Sequence, residues 1–154
     1  MSAIGLDMSK NYSFYTLPLA WFFANLPGFY AKSLAPKTYD IAYPRQFSES
    51  VQKDQSLSKQ VKNKIFRCES AAANGQETVA FYLASVIAAN YAGVPVESIN
   101  TWCGVYLVSR LVYNYVYVFL QENRNLAPVR SLVWNAGIVS WVVLFVKAGN
   151  RISG

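Results

Sequence analysis

Residues 127–148 read APVRSLVWNAGIVSWVVLFVKA, an apolar stretch in which Arg130 and Lys147 are the only charged side chains. A helix of about 20 residues crosses the ~30 Å hydrocarbon core of a bilayer. A helix on the surface of a soluble bundle would instead carry a polar face along its whole length. This stretch therefore predicts a membrane-spanning helix.

Three more apolar stretches of similar length precede it, at about residues 12–34, 66–93 and 99–120. Hydrophobic residues make up 53% of the chain and charged residues only 14%, whereas an ordinary soluble domain carries about 25% charge. With 154 residues, the chain has room for one domain. The sequence predicts an all-α fold: an integral membrane four-helix bundle formed as a single domain by residues 1–154.

The polar segment 35–65 separates the first two predicted spans and carries much of the positive charge. Four spans place this segment and the short connection at 121–126 on one side of the membrane. The other side then receives three basic residues, Lys10, Lys147 and Arg151. The side with the polar segment receives seven: Lys37, Arg45, Lys53, Lys59, Lys62, Lys64 and Arg124. The positive-inside rule therefore predicts a cytosolic 35–65 loop and lumenal termini.

This topology predicts a multi-pass protein of the endoplasmic reticulum, or of the inner membrane in a bacterium. The net charge of +6 is then explained by topology and by contact with anionic lipid. It does not indicate nucleic-acid binding, because the basic residues are not interleaved with aromatic residues on one face.

Histidine is absent and cysteine occurs twice, as Cys68 and Cys103. A histidine-based triad and a histidine-ligated metal are excluded by this composition. Two cysteines also cannot form a disulfide framework or a four-thiolate zinc site. We therefore expect no metal cofactor.

Polar residues inside the second span are the first indication of a site. Asn74 and Glu77 are three residues apart and project from one helical face, and Arg67 precedes Asn74 by seven residues on nearly the same stripe. A carboxylate at this depth needs a partner. Arg110, on the third span, is the natural candidate for Glu77.

The third span places a guanidinium and two phenols on one face, since Arg110, Tyr113 and Tyr117 follow an i, i+3, i+7 pattern. Arg130 and Ser131 begin the fourth span at the same predicted level of the membrane. These residues also have purely structural interpretations. Glu77 and Arg110 could form an ion pair that sets the register of the bundle. The tyrosines could lie at the membrane interface, and Arg130 could reach lipid phosphates.

The segment Arg67-Cys-Glu-Ser-Ala-Ala-Ala-Asn-Gly-Gln-Glu77 resembles the second-helix signature of the MAPEG family, the membrane-associated proteins of eicosanoid and glutathione metabolism. The runs Arg110-Leu-Val-Tyr-Asn-Tyr-Val-Tyr117 and Ala127-Pro-Val-Arg-Ser131 resemble the family's third and fourth helices. The form of the signature is closest to the divergent fungal and bacterial branch. The resemblance implies a homotrimer of four-helix bundles, with glutathione between subunits and a lipophilic substrate entering from the membrane lipid.

By the same resemblance, Asn74 and Glu77 hold polar groups of the tripeptide, and Tyr113 and Tyr117 flank it. Arg130 lies beside the sulfur and stabilises its thiolate, so Arg130, Tyr117 and Tyr113 form the expected catalytic set. The expected glutathione-binding set is Arg67, Asn74, Glu77, Arg110, Tyr113, Tyr117, Arg130 and Ser131.

Three functions are consistent with this resemblance. The first is a glutathione-dependent transferase, peroxidase or isomerase that acts on a lipophilic electrophile. The second is a glutathione-independent isomerase or cyclase of a hydrophobic metabolite, because Ser70 and Ala73 stand where relatives carry basic residues and Trp134 stands where tyrosine is frequent. The third is a non-catalytic lipid-binding or partner protein of the same fold.

Overall fold

The computed structural model describes residues 7–154, apart from the side chain of Arg124. Residues 1–6 of the expected domain, and the Arg124 charge used above to predict topology, therefore lie outside the described part. The described residues are all-α. The helices are α1 (Ser13–Leu34), α2 (Phe47–Lys53), α3 (Lys59–Tyr91), α4 (Val96–Tyr115, continued by a π-helical turn at Val116–Leu120) and α5 (Ala127–Ser153).

Each of the four long helices overlaps one of the four apolar stretches, but α3 begins inside the 35–65 segment, which was predicted to be a polar loop. α3 begins at Lys59, where the Ser58 hydroxyl accepts a hydrogen bond from the Val61 amide at 3.3 Å. α2 was not expected, yet its Phe47 and Val51 are buried under α3. Residues 35–65 therefore pack against one end of the bundle, and we call this segment the cap.

A carboxylate organises this cap. Asp54 accepts hydrogen bonds from the Thr38 hydroxyl at 2.6 Å and from the Ser56 hydroxyl and amide at 2.6 and 2.8 Å. These bonds, first that of the Ser56 hydroxyl and then that of Thr38, lower the pKa of Asp54 to about 2. The carboxylate thereby connects the segment after α1 to the segment before α3.

α1 and α3 pack closely because small residues line their contact. Ala20, Ala24 and Ala31 of α1 are buried. A Cβ at Gly75 of α3 would lie 2.8 Å from the Ala24 Cα. Glycine is thus required there for the two backbones to approach, and this contact places the middle of α3 beside α4 and α5.

The connection between α3 and α4 is a tight turn at Gly93. Its φ of +67° lies in the left-handed region that glycine adopts readily. The Val94 amide donates back to the Ala89 carbonyl at 3.0 Å, which closes the end of α3. The turn makes α3 and α4 antiparallel neighbours.

Two helical segments in the described part, Val96–Leu120 and Ala127–Ser153, are long and apolar enough to cross a membrane. α1 and α3 have 22 and 33 residues, and a helix rises 1.5 Å per residue. Both have sufficient length, but their polar residues lower their hydropathy. Membrane crossing by these two helices stays a prediction.

Candidate functional site

A cavity of about 440 Å³ opens between α3, the end of α4 and the beginning of α5. Its walls are predominantly polar and aromatic. They are formed by Ser70, Ala73, Asn74, Glu77, Tyr113, Tyr117, Arg130, Ser131 and Trp134.

Three helices supply these side chains through simple spacing. On α3 the lining residues recur every three or four positions, which places them on one side of the helix. Tyr113 lies in the last turn of α4 and Tyr117 in the π-helical turn that follows. Arg130 and Ser131 lie in the first turns of α5. The amino terminus of a helix is favourable for negative charge, so this wall of the cavity is suited to an anion.

Tyr117 connects the aromatic and cationic parts of the site. Its ring packs edge-on against Tyr113 with centroids 5.6 Å apart. The Arg130 guanidinium carbon lies 4.5 Å from the Tyr117 ring centroid, a cation–π contact. Arg130 therefore has a defined position at the cavity, and no acceptor within residues 7–154, the Arg124 side chain apart, takes a hydrogen bond from its guanidinium.

Arg110 lies behind the cavity wall and is 3% exposed. Its Nη1 donates long hydrogen bonds to Asn74 Oδ1 at 3.5 Å and to Thr78 Oγ1 at 3.4 Å. Its guanidinium carbon lies 4.9 Å from the Tyr113 ring centroid. Arg110 thus supports two residues of the cavity wall from within the bundle.

The expected ion pair between Glu77 and Arg110 is not formed. Within residues 7–154, excluding the Arg124 side chain, the ion pairs are Lys53–Glu49 and Arg67–Glu122. Arg110 contacts the side of α3 that carries Asn74 and Thr78, four residues apart. Glu77 instead lies on the exposed side of α3 and faces the cavity.

Arg67 lies outside the cavity lining. Its Nε donates to the Val118 carbonyl at 3.2 Å, and its Nη2 donates to Glu122 Oε1 at 2.9 Å. Val118 belongs to the π-helical continuation of α4, and Glu122 to the connection that follows it. Two of the three guanidinium nitrogens of Arg67, Nε and Nη2, therefore donate hydrogen bonds within the chain.

Residues 15–150 match the MAPEG family. The chain belongs to the MAPEG family. The match includes every residue that lines the cavity. No curated protein and no solved structure matches the chain significantly.

MAPEG proteins are integral membrane proteins, and most are glutathione-dependent enzymes. Six of the eight residues that we expected to bind glutathione line the MAPEG cavity described above. Arg67 and Arg110 are the two that do not. The six are Asn74, Glu77, Tyr113, Tyr117, Arg130 and Ser131.

Sequence reasoning missed two residues that organise this MAPEG site. The spacing of Thr78, one helical turn after Asn74, places both residues on one face of α3, although it does not tell which face meets Arg110. Glu122 could not have been found in this way, because it pairs with Arg67 across a π-helical turn that no sequence pattern indicated.

Among residues 7–154, no cluster of histidine, cysteine, aspartate or glutamate could hold a metal ion. Cys68 and Cys103 are free and buried. The chemistry available at the cavity is that of a carboxylate, a guanidinium, hydroxyls, phenols and an amide.

Proposed function

We propose that this protein is a membrane-embedded, glutathione-dependent transferase, peroxidase or isomerase acting on a lipophilic electrophile. The supporting observation is that one cavity combines Glu77, Asn74, Arg130 and two tyrosines. Membership of a family composed mostly of glutathione-dependent enzymes agrees with this reading.

The cavity fits a peptide thiol in size and charge. Its volume of about 440 Å³ is within the ~300–1,000 Å³ common for small-molecule sites. Glu77 is available for an ammonium group and Arg130 for an anion, and Asn74 offers both a donor and an acceptor. The phenolic edges and faces of Tyr113 and Tyr117 supply a wall along which a peptide can lie.

Glutathione supplies a thiol nucleophile when bound. Arg130 stabilises negative charge at the sulfur position, because a nearby cation favours the thiolate over the thiol. Tyr117 keeps the guanidinium in position through its ring face. Tyr113 and Tyr117 can donate a phenolic proton to an oxygen that gains charge in the electrophile.

A neighbouring copy of the chain completes the site in this proposal. The exposed side of α3 bears residues at alternating intervals of three and four, a seam suited to helix–helix packing. The cavity residues Ser70, Ala73 and Glu77 begin this seam. It continues through Ala80, Ala84, Ile87 and Tyr91, and all seven side chains are exposed. We assign this seam to contact between subunits of a homotrimer.

In the proposed topology, the chain crosses the membrane four times and its termini lie in the lumen of the endoplasmic reticulum. The 35–65 cap is cytosolic, so the cavity beneath it opens toward cytosolic glutathione. The lipophilic substrate reaches the cavity from the bilayer.

A thiolate difference spectrum of the detergent-purified protein tests this function. Wild type is expected to bind glutathione saturably with a thiolate absorbance that Arg130→Ala abolishes. Arg45→Ala is the matched control, because Arg45 is an exposed cation of the cap, away from the cavity lining. Absence of binding at millimolar glutathione, in a preparation of folded oligomer, would rule the function out.

A glutathione-independent isomerase or cyclase of a hydrophobic metabolite is the second candidate. Ser70 and Ala73 contribute no charge to the cavity, so Arg130 is the single cation among the described residues that line it. Glu77, Tyr113 and Tyr117 would then act as acid or base. Turnover of a lipophilic substrate without glutathione, lost in Glu77→Gln, distinguishes this candidate from the first.

A further inference from the structure

One side chain of α3, Arg67, hydrogen-bonds both to the end of α4 and to the connection that follows it. Arg67 Nε donates to the Val118 carbonyl at 3.2 Å, while Arg67 Nη2 donates to Glu122 Oε1 at 2.9 Å. These acceptors lie on either side of the end of the π-helical turn Val116–Leu120. The planar fork of arginine presents separate donors in fixed directions, so one residue contacts both the turn and the connection directly after it.

The turn that Arg67 contacts through Val118 is an uncommon kind of helix. A π-helical turn holds an additional residue compared with an α-helical turn, is rare, and is found frequently at functional sites. Carbonyl groups in the last turn of a helix also lack partners further along the same helix. The Arg67 hydrogen bond to Val118 supplies such a partner to one carbonyl of this turn.

Tyr117 is directly attached to the segment that Arg67 holds. Its backbone adjoins Val118, and its ring contacts both Tyr113 and Arg130 at the cavity. Relaxation of the π-helical turn to an ordinary α-helix would rotate Tyr117 about the helix axis relative to Tyr113. The ring would then leave the guanidinium that it faces.

We propose that Arg67 is a positioning residue: it holds the π-helical turn that sets the Tyr117 ring against Arg130 at the cavity. Arg67 thus acts from outside the cavity and does not contact the ligand. The geometric part of this proposal is independent of the ligand, whereas its effect on a thiolate rests on the proposed function.

A purely structural ion pair would behave differently. The Glu122 side chain is 52% exposed and that of Arg67 is 15% exposed. Exposed ion pairs contribute little to stability, so loss of the Glu122 charge should leave the fold intact. If the pair has no positioning role, Tyr117 will keep its environment when the pair is broken.

The test uses 3-fluorotyrosine placed only at position 117 and the ¹⁹F NMR spectrum of the ligand-free oligomer. Arg67→Lys keeps the charge but cannot reach both acceptors, and Glu122→Gln removes the carboxylate. Both variants are expected to shift or split the signal at unchanged melting temperature. Glu49→Gln is the matched control, since it breaks the exposed Lys53–Glu49 pair in the cap, and its spectrum should equal that of wild type.

An unchanged ¹⁹F signal in folded Glu122→Gln and Arg67→Lys would overturn the proposal. If Arg67→Lys does not fold, Glu122→Gln alone decides, because its half-exposed side chain can be replaced without burial of a new group. A second readout is the pKa of bound glutathione in these variants, which should rise by about one unit, a tenfold decrease in the acid dissociation constant of the thiol. Absence of any thiolate in wild type would refute the proposed function and leave the ¹⁹F result valid.

Discussion

The Arg130 guanidinium carbon lies 4.5 Å from the centroid of the Tyr117 ring, and Tyr113 packs edge-on behind that ring. The cation is thus held by a π face and has no carboxylate partner among the described residues. A carboxylate at this position would neutralise Arg130 and compete with an anionic ligand. A ring positions the cation and leaves its charge available.

This relationship predicts different consequences for two substitutions of Tyr117. Tyr117→Phe retains the ring face, so glutathione affinity and the thiolate signal should stay near those of wild type. Tyr117→Leu removes the face, and loss of about 1 kcal/mol of cation–π interaction should weaken binding roughly fivefold. Titration calorimetry of both variants measures the difference.

Tyr115→Leu is the control, because Tyr115 is 57% exposed and lies outside the cavity lining. Equal affinities of the Tyr117→Phe and Tyr117→Leu proteins would contradict the assigned role of the ring. A Tyr117→Phe protein with normal affinity but a much lower kcat would assign proton donation to the phenol.

A glycine of α5 makes room for Arg110. A Cβ at Gly137 would lie 2.9 Å from Ser109 Oγ and 3.1 Å from Arg110 Nη2. Ser109 cannot turn away freely, because its hydroxyl donates to the Tyr106 carbonyl at 2.7 Å. Gly137→Ala should therefore destabilise the protein by about 1–3 kcal/mol, as overpacking commonly does, and should weaken glutathione binding through the displaced guanidinium.

Gly149→Ala controls for helix propensity in the same helix. A Cβ at Gly149 meets no atom within 4 Å, and alanine is favoured over glycine inside helices by about 0.5–1 kcal/mol. Thermal melts in detergent should show a lower melting temperature for Gly137→Ala and a slightly higher one for Gly149→Ala. A melting temperature for Gly137→Ala at or above that of wild type would show that Arg110 is not confined by this contact.

The family could be predicted from the sequence because its signals are local. Spacing along one helix places Asn74 and Glu77 on one face, and the same holds for Tyr113 with Arg110. The apolar length of residues 127–148 required no knowledge of neighbouring helices. Such spacings can be recognised in one sequence without the three-dimensional structure. The match over residues 15–150 confirms the family.

The partners of the two buried or half-buried arginines could not be predicted, because partner choice depends on rotation of helices about their axes. Glu77 and Thr78 are adjacent in sequence but point in directions about 100° apart on a helix. Opposite charge alone favoured Glu77 as the partner of Arg110. In the packed bundle, α3 is rotated so that Thr78 faces Arg110. Likewise, the π-helical turn that brings Val118 to Arg67 depends on tertiary contacts and leaves no pattern in the residues.

The cap between α1 and α3 should depend on the Asp54 carboxylate. Asp54→Asn loses a charged acceptor of the Thr38 and Ser56 hydroxyls, so trypsin should cleave after Lys37 and Arg45 faster than in wild type. Asp40→Asn is the control, because the hydrogen bond that Asp40 accepts among the described residues is a local one, from the Ala42 amide. Equal cleavage rates for the two variants would exclude a special role of Asp54.

The effect of pH on the cap has a defined sign. The pKa of Asp54 is about 2 in the folded chain, below its usual value of 3.8. A depressed folded pKa stabilises the fold fully above the unfolded value, and this stabilisation is lost as pH falls from 3.8 toward 2. Between pH 6 and 8 the Asp54 carboxylate stays ionised, so its contribution to the stability of the cap should not change. The ratio of the tryptic cleavage rates of Asp54→Asn and wild type, measured at the same pH, should therefore be constant over this range.

Arg110 should make the ligand-free protein less stable than an apolar residue would. It is 3% exposed, lacks a carboxylate partner in the described chain, and makes only long hydrogen bonds of 3.4 and 3.5 Å. Replacement of buried charges by apolar side chains of similar volume is often neutral or stabilising by about 1–4 kcal/mol. Arg110→Met should therefore raise the melting temperature and weaken glutathione binding, since Asn74 loses its support.

Arg110→Lys retains a buried cation and should gain no stability. A lower melting temperature for Arg110→Met than for wild type would mean that the Tyr106 and Tyr113 rings and the two long hydrogen bonds already compensate the buried charge without a ligand.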